Sequence, residues 1–333
     1  MGMKKTFKTL EEQIEILRSK GLVVNDEAYA KEVLLRENYF FFNGYRYPFV
    51  KSKDNKVYIQ GTTFEEQYSL FLFDRQLRNI IFKNVLIIEN NIKSIVSYQL
   101  SKKYGYKEKD YLSPYNFNNT PDRKKQVNDL LGKMKRQIRT NALQHTATQH
   151  YITNYGYIPL WVLVKVLSFG IVAELFSILK KEDQYDIVTI YDLSIEEFSN
   201  YLSILSNYRN LCAHEDILYE NRTQKSIADT KYHHLLNIPI MNNEYIYGKN
   251  DLFAVLIIIK SFLKDDEVSK FIVEIKQALD NLEYNLRSIP IMKILDRMGF
   301  PENWEELKEL KKKEIFYEQW RNERWRKSRK FWY

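Results

Sequence analysis

Apolar residues recur at three- and four-residue spacing along most of the chain, a pattern that predicts a largely helical protein. Phe7 to Lys20 reads as a first helix. Thr9 and Glu12 stand at capping-box spacing at its start, and Gly21 follows its last periodic residue. Asp26 to Glu37 reads as a second. Between Tyr39 and Thr63 the pattern changes: aromatics crowd together, Gly44 and Pro48 interrupt, and Asp54-Asn55 separates two short β-prone runs. A small hairpin is expected there. Phe64 to Lys103 follows as one long amphipathic helix or a broken pair, with Leu70, Phe73, Leu77, Ile80, Ile81, Val85 and Ile88 toward the core.

The second half continues in the same style. Tyr104 to Thr120 reads as a loop, and a basic helix is expected from Pro121 to His150. An apolar helix, Leu160 to Leu179, breaks at Ser168-Phe169-Gly170. Ser194 to His214 forms another, with Glu197 three residues after Ser194 as in a capping box. Asn221 to Asn250 is polar and reads as irregular, Asp251 to Leu263 and Val268 to Leu286 as helices, and the stretch from Glu302 as a charged helical tail. The fold class is therefore all-α, a helical bundle with a small β-hairpin near the N-terminus. The expected division is 1–63, a helical segment with the hairpin; 64–290, the main helical domain; and 291–333, the charged tail.

Composition narrows the function classes. At 333 residues the chain can bury a substantial core without disulfides or metal. One cysteine, Cys212, rules out an internal disulfide framework and any CxxC zinc site, and no other ligand spacing points to a metal or cofactor. No segment reads as a secretory signal, and the longest apolar run, Leu252 to Leu263, is broken by Lys260 and too short to span a bilayer. A soluble protein of the reducing cytoplasm is the expectation. A net charge of +8 favours a polyanionic partner, though a merely solvated lysine-rich surface gives the same total. The excess gathers in two places: Lys124, Lys125, Lys133, Lys135, Arg136 and Arg139, and a C-terminal run that includes Arg324 and Arg326. Only the second is interleaved with aromatics able to stack on unpaired bases.

The candidate chemistry lies in Ser206-Asn207-Tyr208-Arg209-Asn210-Leu211-Cys212-Ala213-His214-Glu215. On a helix, Asn207, Asn210 and His214 share one face, and Asn210 is close enough to orient the His214 imidazole. Arg209 lies roughly 140° round from His214 at about 100° per residue, so spacing alone does not bring the two together. Cutting RNA without metal needs a base for the 2′-OH proton, a cation on the phosphorane and an acid for the leaving 5′-oxygen. A histidine serves either proton role and an arginine grips phosphate oxygens in pairs. One histidine per chain leaves a role unfilled, which a two-fold dimer would supply. The alternative is structural: Arg209 and His214 paired with carboxylates such as Glu215 or Asp216.

Ordered matches along the chain carry a resemblance. Thr9-Leu10-Glu11-Glu12-Gln13, Asn38-Tyr39, Gly44-Tyr45-Arg46-Tyr47-Pro48-Phe49, Gly61-Thr62-Thr63-Phe64, Phe73-Asp74-Arg75 with Leu77-Arg78, and Ile88-Glu89 lead. His150-Tyr151, Pro159-Leu160-Trp161-Val162 with Ser168-Phe169-Gly170, Arg209-Asn210-Leu211-Cys212-Ala213-His214, and Met298-Gly299-Phe300-Pro301 with Trp304 follow. Over roughly residues 7–310 the chain resembles the abortive-infection (Abi) family in its AbiD/AbiF-like branch, within the HEPN ribonuclease superfamily. The resemblance implies a HEPN-type bundle, metal-independent RNA cleavage in phage defence or a toxin–antitoxin pair, and Arg209, His214 and Asn210 as the catalytic positions. It also implies RNA as substrate, and a small non-coding RNA as partner in some members.

Glu89, on the long helix, is placed to contact Arg209 from beneath; the alternative is a surface carboxylate. Glu215 stands where many relatives carry a histidine or another polar residue, and a carboxylate facing the site would favour a charged imidazole. His150 reads as bracing Tyr151, and the aromatics from Tyr39 to Phe49 as core. The other readings of function are an RNA-binding module that does not cleave and a protein-interaction domain.

Overall fold

The computed structural model describes residues 6–52 and 56–310. The expected Asp54-Asn55 turn and the C-terminal cations Arg324 and Arg326, with most of the charged tail, lie outside the described residues. Within them, one helix organises the rest. Phe64–Tyr104 runs 41 residues without a break, about 60 Å at 1.5 Å per residue. Neither glycine nor proline interrupts it, which settles the choice between one helix and two. The Thr63 side chain accepts from the Glu66 N–H at its start, acids occupy the first turn and lysines the last, and Gly105 at φ +97° ends it.

All seven core positions read from the sequence are buried. Burial extends beyond one stripe because Leu160–Val166, Ile195–Ala213 and Asp265–Asn285 pack round this helix. Leu252–Phe262 is buried nearly all round, Lys260 included, as a sequence apolar on every face requires. A single contiguous core runs from Ile14 to Leu307. Among the described residues no helix is long and apolar enough to cross a membrane.

The all-α class holds, and the β element is small, but its best-formed example lies elsewhere than expected. The aromatic run forms a short helix, Tyr39–Gly44, and a 3-10 turn, Tyr47–Phe49, because Phe42, Tyr45 and Phe49 enter the core. Of the N-terminal hairpin the described residues show one antiparallel bridge, Val50 with Tyr58, flanked by the Lys51 N–H to Val57 C=O bond at 2.9 Å. Two-residue strands, Ile240–Met241 and Glu244–Tyr245, pair inside the stretch expected to be irregular. Asn242 and Asn243 both sit at positive φ, the backbone of a type I′ turn. The basic helix is shorter than read, Lys124–Asn141, and the chain resumes as Thr146–Tyr155. Lys181–Val188 and Met292–Met298 are helices the pattern did not announce, and only a 3-10 turn, Trp304–Lys308, is described of the tail.

Gly299 is a position the packing demands. It ends Met292–Met298 at φ +74°, and a Cβ there would stand 2.2 Å from the Asp251 carboxylate. Asp251 is committed: it caps Leu252–Phe262 through the Ala254 N–H and accepts from the Gly248 N–H, both at 2.9 Å. Gly299→Ala should therefore cost about 2–3 kcal/mol, left-handed strain added to steric displacement. A denaturant midpoint within error of wild type would refute this.

Candidate functional site

The motif helix, Ile195–Ala213, begins with the capping box read from the sequence. The Glu197 N–H donates to Ser194 Oγ at 3.1 Å, and the Ser194 N–H to the Glu197 carboxylate at 2.9 Å. Phe198, Tyr201, Leu202, Leu205, Tyr208 and Cys212 form its buried face. Asn207, Asn210 and His214 lie on the exposed one, as their spacing requires. The amide–imidazole contact between Asn210 and His214 is not made. Their bond is backbone: the His214 N–H donates to the Asn210 carbonyl at 3.0 Å, and His214 is the residue on which the helix stops.

That stop is a Schellman turn built without glycine. Glu215 takes the left-handed conformation, φ +57°, and the Asp216 N–H reaches back to the Leu211 carbonyl at 3.2 Å. Beyond the turn the Glu215 carboxylate lies 3.8 Å from Arg75. Neither Glu215 nor Asp216 forms an ion pair with Arg209 or His214 among the described residues, so the structural pairing considered for them is not made either.

Arg209 is half-buried and leans on the long helix. Its guanidinium carbon lies 5.6 Å from the Phe82 ring centre, and its Nε is 3.9 Å from Glu89 Oε2. Glu89 is 6 % exposed, so it is a buried carboxylate rather than a surface one. Its other oxygen accepts from Lys93 Nζ at 2.6 Å. At 3.9 Å the arginine is attracted but not hydrogen-bonded, and both facing atoms are left without a hydrogen-bond partner among the described residues.

A second group, not recognised from the sequence as part of the site, holds the chain just after the motif. Asp74, fully buried, accepts from Arg78 at 2.6 Å, the Tyr45 hydroxyl at 2.8 Å, and the backbone N–H groups of Leu218 at 3.0 Å and Tyr219 at 2.8 Å. Arg78 also donates to the Asp216 carbonyl at 3.2 Å. The signal was available: Asp74 and Arg78 stand four apart on the apolar stripe that holds Leu70, Leu77 and Ile81, where an unpaired charge would be expelled.

The remaining candidates divide. Lys124, Lys125, Lys133, Lys135, Arg136 and Arg139 are all exposed, on the face opposite the buried Val127, Leu130, Leu131 and Met134. Lys133 is engaged by Glu174 at 2.7 Å. Cys212 is no nucleophile, since burial pushes its thiol up to about 12. His233 is a core residue: its Nδ1 accepts from the Thr230 N–H at 3.0 Å, which leaves Nε2 to donate to the Gly248 carbonyl at 2.8 Å. Among the described residues no group of three or more His, Cys, Asp or Glu gathers as a metal site. A cleft of about 460 Å³ opens beyond the motif turn, with Glu215, Asp216, Arg46, Phe40 and Phe41 among its walls, but neither Arg209 nor His214 lines it. The candidate chemistry sits on an open surface.

Fold and site together define an all-α protein with an exposed histidine at a helix end and an arginine seated on a buried glutamate. The chain belongs to the family of Abi-like proteins, whose sequence profile matches residues 32–220. That span takes in Asp74, Arg78, Glu89 and the whole motif. No curated protein gives a significant match, and no solved structure does.

Two substitutions test the architecture of the motif turn. Asp74→Ala leaves Arg78 buried and unpaired and should cost about 3–5 kcal/mol. A loss below about 1 kcal/mol in urea unfolding would show that the network does not hold the turn. Glu215→Gly relieves the left-handed strain and should add about 0.5–1 kcal/mol; a lower melting temperature would contradict that reading.

Proposed function

We propose that this chain is a metal-independent endoribonuclease of the HEPN type, in the AbiD/AbiF-like branch, acting as a homodimer in abortive infection. Membership of the Abi-like family supports the defence role. The observation that carries the chemistry is that one helix presents an exposed His214 at its end and an Arg209 whose guanidinium no described residue engages by hydrogen bond. Both side chains are free to meet a substrate, and the backbone beneath them is clamped. Such precision on rigid support is what catalysis by positioning requires.

In this reading one His214 takes the proton from a 2′-OH, and its oxygen attacks the adjacent phosphorus. The second subunit's copy of that histidine protonates the departing 5′-oxygen, leaving a 2′,3′-cyclic phosphate and a 5′-hydroxyl. Arg209 donates to the phosphorane oxygens, its stem steadied by Glu89 and Phe82. Asn207 and Asn210 flank the histidine as polar contacts to the ribose–phosphate chain. A two-fold contact across this face would supply both proton roles and close an open surface into a cleft. The exposed cations from Lys124 to Arg139 provide a track for the RNA backbone.

Those same cations also favour a second reading, in which the protein binds RNA, including a small non-coding RNA, without cutting it. The two part on one experiment. Purified protein in excess chelator should cleave RNA to cyclic-phosphate ends, and Arg209→Ala or His214→Ala should lower the rate at least about 100-fold. Expression of the wild type should slow growth while either variant relieves it. RNA left intact by wild type, with binding that weakens steeply with salt, would replace the enzyme with the binding module.

A further inference from the structure

Away from the motif, the surface carries a run of rings. Trp161 and Tyr106 have ring centres 5.5 Å apart, Tyr106 and Tyr157 5.8 Å, Tyr157 and Tyr155 6.3 Å, and Tyr155 and Tyr151 5.4 Å. His150 closes the far end, edge-on to Tyr151 at 5.6 Å. Three of the rings stand at the surface, Tyr106 at 40 % exposed, Trp161 at 44 % and Tyr155 at 58 %, while Tyr151 and Tyr157 are half-buried between them. Consecutive planes from Trp161 to Tyr151 tilt by 36–54°, so the rings fan out rather than seal one another's faces. An exposed aromatic cluster of this extent on a monomer marks a binding surface more often than an accident of packing.

The backbone beneath holds the fan in place. The Leu160 N–H donates to the Tyr106 carbonyl at 3.3 Å, the Tyr111 hydroxyl to the Ile158 carbonyl at 2.8 Å, and the Ile158 N–H to the Glu108 carboxylate. Ile158 and Leu160 point inward and are fully buried, so Tyr157 and Trp161 on either side are turned outward. The ring faces are thus arranged before any partner arrives, which lowers the cost of binding one.

Charge selects the partner. Lys107 Nζ lies 4.9 Å from the Tyr157 ring centre, Lys165 is exposed one turn after Trp161 on the same helix face, and Lys109 is exposed nearby in the chain. The neighbouring acids are turned to the backbone, Glu108 toward the Ile158 N–H and Asp110 toward the Lys107 N–H. The basic helix Lys124–Asn141 packs against the helix that carries Trp161 and leads into the one that carries His150, Tyr151 and Tyr155. Fanned rings bordered by cations match a chain that alternates flat bases with phosphates. We propose that this ladder is a binding site for unpaired RNA, stacking successive bases on its rings. The inference rests on the RNA reading above but not on cleavage.

The test uses the full chain and a short fluorescent oligouridylate with 2′-O-methyl groups, which attack by the 2′-oxygen cannot cut, alone or annealed to its complement. Wild type should bind the single strand more tightly than the duplex. Replacing both Tyr155 and Trp161 by alanine should weaken single-strand binding about tenfold per ring and leave duplex binding unchanged. The Tyr155→Phe and Trp161→Phe pair keeps the rings and should bind as wild type, separating stacking from any change in folding. Alanine variants that bind the single strand like wild type, or phenylalanine variants that lose as much as alanine, would overturn the ladder. Should cleavage prove absent while the alanine variants still lose binding, the ladder stands and the ribonuclease reading falls.

Discussion

A fully buried aspartate is expensive unless its charge is matched, and in this protein Asp74 is matched on every side. Arg78 and the Tyr45 hydroxyl compensate it, and two backbone N–H groups complete its shell. Those N–H groups belong to Leu218 and Tyr219, and Arg78 takes the Asp216 carbonyl. The long helix therefore holds, through one ion pair, the stretch of chain that leaves the candidate histidine. Helix ends fray because their last carbonyls lack partners. This one ends in a left-handed turn without glycine, and the clamp just beyond it opposes the unwinding that strain invites.

The same long helix supplies the support for Arg209 about one and three turns beyond Arg78. Phe82 gives the guanidinium a flat surface, and Glu89, itself neutralised on one side by Lys93, gives it an attracting charge. The gap of 3.9 Å matters. A closed, bidentate pair would consume the donors that a phosphate needs. An attraction without a hydrogen bond restrains the stem and leaves the fork free. Histidine and arginine are thus carried by one helix but steadied differently, His214 by the backbone turn and Arg209 by side chains from the neighbouring helix.

Much of the fold was legible because amphipathic periodicity and capping chemistry are local. The two capping boxes, at Thr9 and Ser194, appear where spacing put them. The misreadings have physical causes. Crowded aromatics with Gly44 and Pro48 among them hide the helical spacing from Tyr39 on, yet tertiary burial of Phe42 and Tyr45 winds the run into a short helix. The Asn242-Asn243 pair went unnoticed as a turn because asparagine tolerates positive φ less conspicuously than glycine. The exposed faces of Tyr106, Tyr155 and Trp161 could not be distinguished from core by residue type, since aromatics at helical spacing serve both ends.

Taken alone, the sequence determined the helical class, the exposed Asn207–Asn210–His214 face and the basic helix, because each follows from helical periodicity and from charges seeking water. Tertiary structure decided what that periodicity cannot carry. It decided that Arg209 turns to Glu89 rather than to Glu215, that Asp74 and Arg78 hold the chain at Asp216, Leu218 and Tyr219, and that Tyr106 meets the rings of Tyr151 to Trp161 on one surface. These are contacts between residues far apart in the chain, and their energies depend on burial that exists only once the helices have packed.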